Sequence, residues 1–251
     1  EELYSFVLAA EAHELGGTAD VTRMAGGQIT DEEWSSLMKA GAVQLSYSPW
    51  FIGHSMARRS RRPRIGLDEI GRALSGLEKW QDGENKGTQV DMVFIDYLQR
   101  IPMDGRVESK VIGTTALLDR LKDAALHFGC PVVVGVQAKR EVDERKVPIP
   151  MQEDGQWTSG IEQISDGSLS LVRPRKYRAE GEMFGSMVVQ GHTQMLVTVL
   201  KRKLGPDNFA KWVYFAPEYN KLDELQVRDV NLNDYVIGGG GAPVREQYYH
   251  D

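Results

Sequence analysis

Two apolar runs in this chain each end in a polar side chain suited to handling phosphates. Met92-Val93-Phe94-Ile95 leads into Asp96, and Val132-Val133-Val134-Gly135-Val136 leads into Gln137. In an open α/β sheet, ligands gather at the carboxyl ends of the strands, where loops converge polar groups that apolar strands cannot supply. A carboxylate there can hold Mg²⁺ directly or through water, as a nucleoside triphosphatase requires. An uncharged amide at the next strand end can hydrogen-bond a γ-phosphate or an attacking water. Each feature alone also has a plainer reading. An aspartate after a strand also caps helices and turns, and a lone glutamine is ordinary polar surface.

The elements that must position these residues follow from periodicity. Residues 92–95 read as a strand, residues 108–128 as an amphipathic helix, and residues 131–136 as a second strand. Strand, helix of roughly 20 residues, strand is the signature of a right-handed βαβ unit in a parallel sheet. Further strands are predicted at 168–172, 195–200 and 211–215, the last two joined through Gly205-Pro206-Asp207-Asn208 in the manner of a hairpin. Upstream, residues 1–15 read as a helix. Another begins at Thr30, where Thr30 and Glu33 fit a capping box ahead of Trp34, Leu37 and Met38. Leu67, Ile70, Leu74 and Leu77 keep helical spacing after a basic, proline-broken stretch at 55–64 that reads as a solvated loop.

Composition narrows the class. The chain is 41% hydrophobic and 26% charged, ordinary for a soluble globular protein with one sizeable core. No run approaches the roughly 18 apolar residues of a membrane-spanning helix, and Glu1-Glu2-Leu3-Tyr4 lacks the basic start of a secretory signal, so a cytoplasmic protein is expected. The single cysteine, Cys130, lies before an apolar strand, which suits a buried thiol and leaves no partner for an internal disulfide. A net charge of -6 argues against coating nucleic acid by bulk attraction but leaves room for a local basic groove.

Longer words around the two strand ends are more specific. Ile95-Asp96-Tyr97-Leu98-Gln99 resembles the Walker B motif of DnaB-type replicative helicases, and Gln137 followed by Arg140, Glu141, Arg145 and Pro148 resembles their next motif. Ser159-Gly160-Ile161-Glu162-Gln163-Ile164-Ser165-Asp166 is similar to the family's Ser-Gly-x-Ile-Glu-Gln-x-Ala-Asp segment, one residue shorter. Lys201-Arg202-Lys203-Leu204-Gly205-Pro206 resembles its Lys-x-Arg-x-Gly-Pro hairpin, and Gly27-Gln28-Ile29-Thr30-Asp31-Glu32-Glu33-Trp34 resembles a helical stretch upstream of Walker B. Order and spacing agree across nearly residues 1–222.

The resemblance implies a RecA-like α/β three-layer sandwich with a mostly parallel central sheet, acting on ATP and Mg²⁺ in a homo-hexamer on single-stranded DNA. Asp96 would bind the metal, Gln137 would sense the γ-phosphate, and Lys201 and Lys203 would reach a neighbouring subunit's site. Single-stranded DNA would be held by backbone N–H groups of the loop Asp154-Gly155-Gln156-Trp157-Thr158-Ser159-Gly160, with Trp157, Thr158, Ser159 and Gly160 at its centre. Backbone donors suit a motor blind to base sequence, because phosphate is the same at every step. Trp157 stands where the family has a basic residue and reads equally well as a buried anchor or a base-stacking surface. Primase and a helicase loader are the implied protein partners.

Three departures qualify this picture. No Gly-x-x-x-x-Gly-Lys-Ser/Thr occurs, and Gly83-Glu84-Asn85-Lys86-Gly87-Thr88 has its lysine misplaced before the wrong strand. The family's phosphate loop and its water-activating glutamate precede the matched region. Residues 1–230 are therefore expected to be a partial motor domain, incomplete on its N-terminal side, with 231–251 a flexible glycine-bearing tail. The third departure is Lys203, which occupies the position of the family's arginine finger but offers a point charge without the guanidinium fork. Arg202 should point the other way by strand alternation. The rival reading is a catalytically inactive RecA-fold scaffold or regulator.

Overall fold

The computed structural model describes residues 9–10, 12–13, 15–41, 66–82, 90–103, 109–156, 160–185, 187–207, 209–219, 221–224 and 230–231. Five helices lie among them: α1 (Val21–Ala25), α2 (Asp31–Ala40), α3 (Leu67–Asp82), α4 (Lys110–Phe128) and α5 (Ile161–Ile164). The strands are β1 (Val93–Ile95), β2 (Val132–Val134), β3 (Gly167–Val172), β4 (Met183–Phe184), β5 (Met187–Val188), β6 (Gln194–Arg202), β7 (Phe209–Ala216), β8 (Lys221–Glu224) and β9 (Val230–Asn231). The basic stretch 55–64, the segment 83–88, Trp157, Thr158, Ser159 and the tail from 232 onward lie outside the described residues. The chain divides into two compact units: residues 1–52, 171–198 and 209–251 in one, 53–170 and 199–208 in the other.

In the first unit, helix α2 forms where its cap predicts. The Thr30 hydroxyl accepts the Glu33 N–H at 3.2 Å while the Glu33 carboxylate accepts the Thr30 N–H at 2.8 Å, so two of the helix's orphan donors are satisfied reciprocally. Glu33 is also ion-paired to Arg23. The Thr30 N–H, with Arg23 beside it, holds the Glu33 carboxyl below the usual range. Of the three apolar residues that follow the cap, Leu37 is buried. Trp34 and Met38 are exposed, because the buried stripe runs through Glu33, Leu37 and Ala40 at helical spacing. Leu37 and Ala40 close a small core with Ala12 and Ala19.

The second unit contains the expected βαβ pattern. Helix α4 starts at Ser109, whose hydroxyl accepts the Ile112 N–H at 3.2 Å, and stops at Gly129, which takes the left-handed conformation (φ 61°) that side chains avoid. Thr114, Leu117 and Leu121 form its buried stripe. Leu117 and Leu121 pack with Leu98 and Ile101 beneath Ile95, Val132 and Val134. Each fully buried leucine of this kind contributes about 1.5–3 kcal/mol. Pairing of β1 with β2 is parallel, in the register Val93↔Val132, Phe94↔Val133, Ile95↔Val134. The alternate residues Phe94 and Val133 face outward and are exposed. Cys130 is buried.

Both site strands are shorter than the apolar runs that encode them. Ladder pairing ends at Val134, and beyond Gly135 the chain turns to pair Ala138 with Gly155 instead. A separate sheet has the order β3-β6-β7-β8, with β9 also on β7. The pairings of β4 with β5 and of β7 with β8 and β9 are antiparallel. The β1–β2 pair is a small parallel sheet. Strands β4, β5, β8 and β9 are too short, at two to four residues, to leave a period-2 signal.

Candidate functional site

The carboxyl ends of β1 and β2 are held side by side. Gly135 donates its N–H to Ile95 O at 2.9 Å, and Leu98 donates to Gly135 O at 2.9 Å, so the backbone on both sides of Asp96 is tied to Gly135. A Cβ added to Gly135 would lie 3.9 Å from Asp96 Oδ1. The Asp96 side chain is exposed and makes no hydrogen bond or ion pair with any described residue. The Asp96–Tyr97 peptide bond is cis. Leu98, with no exposed surface, pins the following turn into the core.

Gln137 is exposed on its own strand's exit, and its backbone is fixed by Gln99. The Gln99 amide oxygen accepts the Gln137 N–H at 3.2 Å, and its amide nitrogen donates to Gln137 O at 3.4 Å and Gln156 O at 3.1 Å. Residues 137–139 in turn zip to 154–156. Gln156 N–H donates to Gln137 O at 2.8 Å and Lys139 N–H to Asp154 O at 2.8 Å, flanking the Ala138–Gly155 bridge.

The same loop base carries a buried acid. Both Asp154 oxygens receive Arg145 at 2.6 Å, one from Nη1 and one from Nη2, and Oδ2 also accepts the Met151 N–H at 2.7 Å. Burial pushes the Asp154 carboxyl up, but the Arg145 hydrogen bonds, the Met151 N–H and the charges of Arg145 and Lys139 outweigh it and leave it below the usual range. Arg145 is correspondingly raised by its bonds to Asp154. At the other end of the loop, Gly160 is buried where a Cβ would stand 3.0 Å from Ile164 Cδ1 and 3.1 Å from Thr115 Cγ2. A side chain there is crowded by these neighbours and not by the backbone angle.

The two lysines of the hairpin meet the segment that follows this loop. Lys201 Nζ donates to the carbonyls of Glu162 and, at 2.7 Å, Ser165, at the C-terminal end of α5. Lys203 Nζ lies 3.2 Å from Asp166 Oδ1, and Lys122 is paired to the same carboxylate. Lys122, and after it Lys203, hold the Asp166 carboxyl below its ordinary value. Arg202 turns away, its guanidinium against the hairpin's Gly205, as alternation requires.

Asp96 and Gln137 therefore share one edge, and Lys201, Lys203 and Gly160 share another region of the same unit. Sequence reasoning gave no role to Gln99, Lys122 or Asp166. The one available signal was Gln99 itself, a polar residue three positions after Asp96 in an otherwise apolar word.

The family model for the DnaB-like helicase C-terminal domain matches residues 8–224. The chain belongs to this family. Among its curated relatives, it is 28% identical over 229 residues to a replicative DNA helicase of Bacillus subtilis and 27% identical over 229 residues to one of Geobacillus stearothermophilus. Each alignment covers 91% of this chain and 44% of the relative, so the chain spans less than half the length of these proteins. Two solved structures share the fold of this DnaB-like domain. One is an ATPase domain, with TM-score 0.70 and 20% identity over 89% of this chain and 70% of that one. The other is a DnaB-like replicative helicase solved for its interactions with primase, with TM-score 0.72 and 21% identity over 90% of this chain and 49% of that one. These neighbours show that the domain shares its fold with DnaB-like helicase ATPase domains.

The donor set of this DnaB-like domain fits one cofactor component and not another. No group of three or more His, Cys, Asp or Glu side chains among the described residues could cage a metal. A single free carboxylate is the donor that Mg²⁺ uses when water and substrate phosphates complete its octahedron. Asp96 fits that role. The nucleotide's phosphates, by contrast, need consecutive backbone N–H groups and a lysine, and no such glycine-lysine loop occurs in the 251 residues. No helix among the described residues is long and apolar enough to cross a membrane.

Proposed function

We propose that this chain is part of the motor of a cytoplasmic replicative DNA helicase, a homo-hexamer that unwinds duplex DNA by ATP-driven translocation on single-stranded DNA. Its core is a RecA-like three-layer sandwich with a mostly parallel central sheet. The observation that carries the reading is the paired carboxyl ends of β1 and β2, with an exposed Asp96, without a partner among the described residues, beside Gly135 and with Gln137 two residues on. Bound Mg-ATP supplies the free energy. With Mg-ATP bound, Asp96 would hold the metal, Gln137 would face the γ-phosphate, and Lys201 and Lys203 would serve a neighbouring subunit's site. Trp157, Thr158, Ser159 and Gly160 grip single-stranded DNA through backbone N–H groups. The structural neighbour described with its interactions with primase makes primase a partner to test, and a loader another.

The test is a chimera in which residues 8–224 replace the matching segment of the Bacillus subtilis relative, which brings its own preceding sequence. Mg-ATP-dependent strand displacement that disappears in Asp96→Ala supports the motor. Assembly without hydrolysis in the unmodified chimera supports the inactive scaffold, a reading favoured by the missing phosphate loop and by Lys203 in the arginine-finger position. The 251 residues by themselves are expected not to bind Mg-ATP. Saturable micromolar binding in a calorimetric titration would reveal a phosphate site elsewhere in the chain.

A further inference from the structure

We propose that Gln99 is a positioning residue that locks the base of the 154–160 loop in register with the backbone of Gln137. This rests on the functional reading of Gln137 and of the loop. One side chain makes three hydrogen bonds to two segments distant in sequence: with the N–H and the carbonyl of Gln137, and with the carbonyl of Gln156. A glutamine amide carries the same donor and acceptor as a peptide group. Gln99 thus acts as a piece of third strand, closing the open end of the short ladder made by Gln156 N–H on Gln137 O and Lys139 N–H on Asp154 O. Its amide orientation is fixed, because the flipped form sets oxygen against both carbonyls and the NH₂ against an N–H.

Geometry makes Gln99 a link rather than a local brace. It lies three residues beyond Asp96, and the turn between them is anchored by buried Leu98 and by Leu98 N–H on Gly135 O. A displacement of the Gln137 backbone, such as engagement of its side chain by a phosphate would cause, therefore moves the Gln99 amide and the Gln156 carbonyl together. The Gln99 amide thus adds a second link from Gln137 to the residue before Trp157, beside the direct Gln156 N–H bond to Gln137 O.

The test is hydrogen exchange on the 251-residue chain, with binding of a fluorescent oligo-thymidine read in parallel. Gln99→Met keeps the volume and removes all three bonds. Exchange at the Gln137 amide is expected to rise about tenfold, the factor for one or two net hydrogen bonds, and to rise at Gln156 as well. The amides of Val93 and Gly135, bonded to Pro131 O and Ile95 O, are expected to stay unchanged. Gln99→Glu keeps the acceptor but turns an anion toward two carbonyls, so Gln137 stays protected while Gln156 loosens. Unchanged exchange at Gln137 and Gln156 in Gln99→Met, or a rise spread equally over Val93 and Gly135, overturns the proposal. A wild-type chain that ignores the oligonucleotide defeats the DNA reading of the loop, and exchange then decides the positioning role alone. A wild-type chain that binds, with unchanged affinity in a loosened Gln99→Met, overturns the link between the two sites.

Discussion

Removing the Asp154 carboxylate tests the argument that a buried ion pair anchors the loop base. Asp154 is 4% exposed and accepts two hydrogen bonds from Arg145 at 2.6 Å and one from Met151 N–H at 2.7 Å. In Asp154→Ala the Arg145 side chain, 40% exposed, recovers water, so the full cost of a stranded buried charge does not apply. What remains is the loss of charge-assisted hydrogen bonds and an unpaired Met151 N–H, together about 2–3 kcal/mol. For a chain of this size that corresponds to a fall in melting temperature of about 5–10 °C.

The effect should also depend on pH with a definite sign. The Asp154 carboxyl is depressed in the folded state, so its stabilisation is fully present above the ordinary aspartate value of about 3.9 and is lost as pH falls through the lower folded value. Urea unfolding of wild type and Asp154→Ala should show a constant gap from neutral pH down to about pH 5, narrowing as the pH falls further through the depressed folded value. A shift below about 2 °C at neutral pH, or a gap that persists undiminished in acid, would refute the reasoning.

The hairpin lysines should separate in stability measurements. Lys201→Ala removes donors to the C-terminal carbonyls of α5 and should cost about 1 kcal/mol, whereas Lys203→Ala breaks only an exposed pair with Asp166 and should cost less than about 0.5 kcal/mol. Urea midpoints in the opposite order would contradict the assignment of Lys201 to the helix end. Gly160→Ala should destabilise by about 1–2 kcal/mol through its clash with Ile164 and Thr115. Thr115→Ser in the same chain, which deletes the crowding Cγ2, should recover part of that loss, and no recovery would place the strain elsewhere.

Features legible in the sequence are those set by neighbours in the chain. The Thr30–Glu33 capping box, the span of α4 and the apolar strands that flank it depend on contacts within a few residues, which residue type and spacing encode directly. The words around Asp96, Gln137, Gly160 and Lys201 marked the family for the same reason, since each motif is a local run. The tertiary structure decided what those runs touch. Gln99 finds partners 38 and 57 residues away, Lys201 reaches carbonyls 36 and 39 residues back, and Asp166 meets Lys122 across 44 residues. Strand register, the early end of β2 and the outward turn of Trp34 were decided there too. Hydrogen bonds between distant segments exist only after the Leu98, Leu117 and Leu121 core has fixed the backbones in space. Periodicity in a sequence records which face an element buries, but not the element it is buried against.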